Sequence, residues 1–216
     1  MPARTLLVFD LDGTLYRTAA SFLPSLRKVY EEYGVPSPGD DAILSMVGET
    51  YKTFLEWLIP QGFPIGVAEL GARITELEIE AIPTDGELFP DVKETLQSLR
   101  DVGCTIALCT NGDIRYATYV LDSHGILPLF AVLKTNDDDL QSKTDMIRDL
   151  LVELRPERSF VVGDRYHDVE AGLANGCVVV GAAYGYGKPQ ELHDADYVIE
   201  RFADLLDVVG SEMNSY

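Results

Sequence analysis

Several things are scarce in this 216-residue chain. It has only three cysteines, Cys104, Cys109 and Cys177, which cannot all pair and show no CxxC spacing. Neither a disulfide framework nor a structural zinc site is therefore expected, and all three fall in apolar runs as small buried hydrophobes. Positive charge is scarce too: 17 Lys+Arg face 36 Asp+Glu, a formal net charge of −19. A field of that sign repels nucleic acid and anionic membrane surfaces, and it gives an anionic metabolite no long-range steering. The apolar run near the start, residues 6–9, is too short for a signal peptide, and no stretch approaches the ~20 apolar residues of a membrane span. The expectation is a soluble, cytoplasmic protein, a monomer or weak dimer, without nucleic-acid or membrane partners. Hydrolase signatures of the GxSxG and HExxH kinds are absent. Residues 181–188 imitate a P-loop, but with one residue too many and Pro189 where Ser or Thr is needed.

What is present is globular composition, with 46% hydrophobic and 25% charged residues, and length enough to bury a sizeable core. Five short apolar runs, at 5–10, 104–110, 131–134, 159–163 and 177–182, read as strands buried on both faces of a parallel sheet. Helical patterns at 91–101, 114–123, 144–154 and 168–175 alternate with them, and Gly103, Gly125 and Gly176 follow as stop signals. Such alternation predicts a Rossmann-like α/β core, with ligands at the carboxyl ends of its strands. One interruption stands out. Residues 16–86 show no strand pattern but helical stretches at 20–33, 40–58 (broken near Gly48) and 66–81, with the chain returning near 83–86. This predicts a small all-helical domain at 16–86 inserted after the first strand, the core being 1–15 and 87–216.

Chemistry concentrates at the strand ends. Asp10 and Asp12 follow the first strand, and residues two apart on a strand share a face; Gly13 then permits a sharp turn. Read as a calcium loop the stretch fails, because Ser21 occupies the twelfth position. After the run at 159–163 come Asp164 and Asp168, four apart on one side of a starting helix. Four carboxylates at one sheet edge call for a hard cation, and without a His/Cys cluster Mg²⁺ suits them better than zinc. Thr110, Asn111 and Gly112 offer a hydroxyl, an amide and backbone N–H groups to phosphoryl oxygens. Lys143 opens a helix where a point cation can balance phosphate and carboxylates together. His167 reads as a packing or capping residue, and the acidic run 136–139 as a solvated loop.

Taken in this order, DLDGTL at 10–15, CTNG at 109–112, Lys143 and VGDRYHD at 162–168 resemble the haloacid dehalogenase-like hydrolases over essentially the whole chain. Residues 89–103, with Gly185, Tyr186, Gly187, Glu191 and Leu192, are similar to the phosphoglycolate-phosphatase-like branch. The resemblance implies a helical cap over a Rossmann-like core, and a Mg²⁺-dependent phosphatase acting on a small phosphorylated metabolite. It implies Asp10 as the nucleophile that forms an aspartyl-phosphate, and Asp12 as acid and then base. Mg²⁺ would be held by the Asp10 carboxylate, the Asp12 backbone carbonyl and Asp164, with Asp168 acting through water or behind the other ligands. Thr110 and Asn111 would hold the phosphoryl oxygens while Lys143 balances charge. The chain departs from relatives at Arg17, where an acid is frequent, and at Thr144, where proline is; Arg17, and more weakly Lys52, are candidate contacts for an anionic leaving group. A phosphomutase of the β-phosphoglucomutase kind needs the same core residues. A phospho-aspartate signalling domain also sets aspartates, Thr and Lys at strand ends, but it is shorter and has no helical insert.

Overall fold

The computed structural model describes residues 5–137 and 141–213. Six strands form one all-parallel sheet: β1 (Thr5–Phe9), β2 (Thr105–Thr110), β3 (Val132–Thr135), β4 (Arg158–Gly163), β5 (Val178–Ala182) and β6 (Tyr197–Ile199). Their spatial order is β3-β2-β1-β4-β5-β6, so the winding reverses between β1 and β4 and opens a crevice there. The order also separates the chain from receiver domains, whose doubly wound sheet runs 2-1-3-4-5.

Side-chain alternation along β1 splits the core into two layers. Leu7 and Phe9 face one side, against α5 (Val92–Asp101), α6 (Ile114–Ser123) and α9 (Leu205–Met213). Leu6 and Val8 face the other, against Met146, Ile147 and Leu150 of α7 (Lys143–Leu154) and Ala171 of α8 (Tyr166–Ala174). The central strands are buried on both faces, as their unbroken apolar character implies. Edge strand β3 is only half-buried, which corrects the expectation for that run. Strand β6 escapes sequence detection: it has three residues, and its central Val198 is exposed.

Residues 19–85 contain helices only: α1 (Ala19–Tyr33), α2 (Asp40–Leu44), α3 (Tyr51–Leu58) and α4 (Val67–Asp85), apart from a short 3-10 turn at Ile59–Gln61. Phe22, Leu26 and Val29 of α1 meet Leu70, Ile74 and Leu77 of α4, both series spaced at helical intervals, in a core of their own. Complete burial of such a side chain is worth ~1.5–3 kcal/mol, so this layer stabilises itself. Two boundaries differ from expectation. The break near Gly48 widens to 45–50 because Thr50 caps a fresh helix, accepting from Thr53 N at 3.2 Å. Helix α4 runs on through Pro83, since Ile82 is anchored in the main core and Gly86 N still reaches Ile82 O at 3.0 Å.

The chain enters and leaves this helical unit along one strap. Arg17 N donates to Glu87 O (2.9 Å), Phe89 N donates to Leu15 O (3.0 Å), and Tyr16 bridges antiparallel to Leu88.

Candidate active site

Strand β1 stops at Phe9, and the next residues wrap into a tight turn in which Leu11 O accepts from Leu15 N and Tyr16 N, each at 2.9 Å. Gly13 sits there with φ +82°, and a Cβ on it would lie 2.3 Å from Asp164 Oδ2. Only glycine meets both demands. From β4, Gly163 lets Asp168 approach so closely that a Cβ would lie 2.0 Å from its Cγ. Asp168 accepts from Arg165 N at 3.1 Å as α8 begins, so its carboxylate both caps the helix and faces the crevice.

The turn after β5 approaches Asp164 from the far side. Tyr186 N and Gly187 N donate to Asp164 Oδ2 at 2.6 and 3.2 Å, and Gly185 and Gly187 leave no room for a Cβ beside that residue. The stretch that imitates a P-loop is therefore a backbone cradle for a carboxylate.

Carboxylate oxygens of Asp10, Asp164 and Asp168 come within 4.8 Å of one another, all three residues buried. Lys143 Nζ lies 2.6 Å from both Asp10 Oδ1 and Asp168 Oδ1, a hydrogen bond to the first and an ion pair without hydrogen-bond alignment to the second. One cation thus serves two of the three carboxylates. Burial, and then the neighbouring carboxylates in spite of Lys143, raise the Asp10 pKa well above its ordinary value. Burial and Asp168 push Asp164 up to about 7. Burial opposes the Lys143 charge, but Asp10 and Asp168 outweigh it and hold its pKa above the usual lysine range. Asp10 Oδ2 is buried and has no hydrogen-bond partner among the described residues. An orphaned carboxylate oxygen among three clustered acids, with oxygen donors only, fits a hard divalent cation.

Asp12 turns elsewhere. Its Oδ1 accepts from Thr18 Oγ1 and Tyr116 OH, each at 2.7 Å, and burial raises its pKa above the ordinary carboxylate value against those two hydrogen bonds. Tyr116 lies on the apolar stripe of α6, a spacing that by itself marks a core residue; its hydroxyl, four residues past Gly112, is the available signal of another role.

Asp12 also lines a cavity of about 580 Å³ between the strand ends and the helical unit. Thr110, Asn111 and Gly112 share that wall. Thr110 Oγ1 accepts from Gly112 N (3.1 Å), and Asn111 Nδ2 donates to Gly48 O (2.9 Å), so the amide tethers the helical unit. Arg165 extends the tether, donating to Val47 O, Glu49 (2.7 Å) and Glu191 (2.9 Å). His167 packs on Tyr166, with its Nε2 3.3 Å from Glu49, a packing role. Arg17 pairs with Glu87 at 2.7 Å on the strap and does not line the cavity, nor does Lys52. All three cysteines are buried. In the acidic run, Asn136 is buried, whereas Asp137 is exposed and accepts from Ile114 N (2.9 Å); 138–139 lie outside the described residues.

Residues 7–182 match the haloacid dehalogenase-like hydrolase family. The chain belongs to that family. It is 30% identical over 214 residues to a phosphoglycolate phosphatase of Pectobacterium atrosepticum, covering 94% of this chain and 92% of the relative. A phosphoglycolate phosphatase of Vibrio vulnificus is 31% identical over 217 residues, covering 94% and 95%. A predicted phosphoglycolate phosphatase from Haemophilus somnus shares the fold at a TM-score of 0.85 and 23% identity, over 95% of this chain and 98% of that one. The chain is thus a hydrolase of phosphatase type, in the phosphoglycolate-phosphatase-like branch. No helix among the described residues is long and apolar enough to cross a membrane.

Proposed function

We propose that this chain is a Mg²⁺-dependent phosphatase that hydrolyses a small phosphorylated metabolite through an aspartyl-phosphate on Asp10, with residues 16–86 as its cap. The observation that carries the reading is the unpaired Asp10 Oδ2, held beside Asp164, Asp168 and Lys143 where the winding of the sheet reverses. Asp10, Asp164 and Asp168, with the Asp12 backbone carbonyl, would hold Mg²⁺, whose charge lets an anionic nucleophile meet an anionic phosphoryl group.

The chain's own residues supply the rest. An Asp10 carboxylate oxygen attacks phosphorus in line, forming an O–P bond as the ester P–O bond breaks. Asp12, with a raised pKa and aimed by Tyr116 and Thr18, gives its proton to the departing alkoxide. The resulting carboxylate then takes a proton from water, which attacks the phosphoryl group and frees Asp10 and inorganic phosphate. Lys143 orients Asp10 and favours its ionised form. Thr110, on the cavity wall beside Asp12, would hold the phosphoryl oxygens.

Asp10→Asn tests this directly. It should lose all turnover in a screen of phosphorylated metabolites with Mg²⁺ while keeping its circular dichroism spectrum. Metal-dependent phosphatase activity in the variant refutes the mechanism, and an isomeric sugar phosphate in place of free phosphate identifies a mutase.

A further inference from the structure

The cavity next to Asp12 has walls of two kinds. Phe22, Met46, Tyr51, Phe54, Ile74 and Ile79 give it an apolar lining. Its titratable residues are otherwise almost all acids, and several of these are already engaged. Glu49 is paired with Arg165, Glu76 with Arg73, Asp113 caps α6, and Asp137 accepts from Ile114 N. Glu78 of α4 has no cationic partner: no ion pair to it occurs among the described residues. It is partly buried, faces Asp12 and Asp113, and meets the Tyr116 hydroxyl. Burial, and then Asp12, push its pKa up to about 8, the mark of a wall that already disfavours negative charge. Among the described residues the one cation on the lining, Arg115, has a side chain 80% exposed and lies 4.0 Å from Asp113 at the rim.

A two-carbon acid such as glycolate suits this space poorly on two counts. Cavities of ~300–1,000 Å³ enclose drug-sized ligands, so about 580 Å³ is far more than glycolate fills. Its carboxylate would also face Asp12 and Glu78, while the lining cation, Arg115, lies exposed at the rim. We infer that the phosphomonoester accepted here carries an uncharged or cationic, ring-bearing alcohol, and that Glu78 excludes substrates with a second anionic group. The inference rests on the phosphatase reading above and narrows it. Glu78 is then a specificity residue: it hydrogen-bonds hydroxyl or amine groups of the alcohol and, once ionised, repels carboxylates.

Two matched pairs test this: phenyl phosphate against 4-carboxyphenyl phosphate, and phosphoethanolamine against 2-phosphoglycolate. The member without the carboxylate should have a kcat/KM at least ~10-fold higher in each pair, as expected for one uncompensated charge in a partly desolvated site. Measured at about pH 9, where Glu78 carries its charge, Glu78→Gln should narrow both gaps several-fold, mainly by raising kcat/KM of the carboxylates, whereas Glu94→Gln, on α5 and outside the cavity lining, should leave them unchanged. A preference for 2-phosphoglycolate, or gaps indifferent to Glu78→Gln, overturns the inference and leaves the phosphatase reading standing. Calorimetric binding of the same four compounds to the Asp10→Asn protein keeps the two claims separable. Absence of turnover by the parent refutes the phosphatase reading, while the order of binding still decides on Glu78, and failure to bind phenyl phosphate counts against it.

Discussion

Replacing Lys143 by Met isolates the electrostatics of the acidic cluster, because the apolar chain keeps much of the volume and loses only the charge. Lysine's ammonium contacts Asp10 and Asp168 at 2.6 Å, with the lysine and both carboxylates almost fully buried. Removing one partner from a buried ionic set leaves uncompensated charge and costs ~3–5 kcal/mol. At roughly 2–4 °C per kcal/mol for a chain of this size, the melting temperature should fall by about 6–20 °C. Thermal unfolding followed by circular dichroism, at pH 7.5 with chelator, measures it. Two further conditions identify the cause. Added Mg²⁺ should return part of the loss, since a cation again sits among the carboxylates. Acidification to pH 5 should also shrink it, because Asp10 and Asp164 titrate above ordinary carboxylates and then carry protons in place of charge. A drop below ~2 °C at pH 7.5 would show that Lys143 is not what reconciles these acids.

Cation binding should be linked to pH with a definite sign. Asp10 and Asp164 have raised pKa values in the folded state, so stability without cation is full at low pH and is lost as pH rises, through about 7 for Asp164. For Asp164, a rise from 3.8 to about 7 makes that loss on the order of 4 kcal/mol. Raising pH from 5.5 to 7.5 should therefore lower the Mg²⁺ concentration needed for half-maximal stabilisation; a pH-independent midpoint contradicts the cluster as cation site. Tyr116→Phe removes a 2.7 Å hydrogen bond that lowers the Asp12 pKa. The kcat should fall by ~10-fold, in keeping with the loss of a hydrogen bond to a charged group, and the Asp12 limb of the pH profile should move to higher pH. An unmoved profile would assign Tyr116 to packing alone.

Much of this was legible in the sequence because chemistry and fold speak through short spacings. Buried strands announce themselves as unbroken apolar runs, and Asp10, Asp12, Asp164 and Asp168 stand directly after two of them. The meeting of Asp10 with Lys143 could be expected only through strand-end logic, since 133 positions separate them. Other features carried no local signature. Tyr116 obeys the apolar period of α6 yet serves Asp12 with its hydroxyl. Glu78 is one acid among 36, singled out only by the fold that buries it beside the cavity. The cradle at Gly185 and Gly187 depends on how β5 delivers its turn to Asp164, which no spacing encodes.

The strap at 15–17 and 87–89 bears on how such an enzyme can diversify. Its two crossings are hydrogen-bonded to each other, so from the sheet's side everything between Arg17 and Glu87 behaves as a single long hairpin insertion. Lengthening or exchanging an insertion whose ends already touch adds little closure entropy. It also leaves untouched the register of β1 with β2 and β4, which sets where Asp10 stands relative to Asp164. The part of the cavity wall built by the helical unit and the acidic cluster at the strand ends thus lie on different stretches of chain. A lineage can retool Glu78 or Phe54 for a new metabolite without passing through variants that have lost the chemistry.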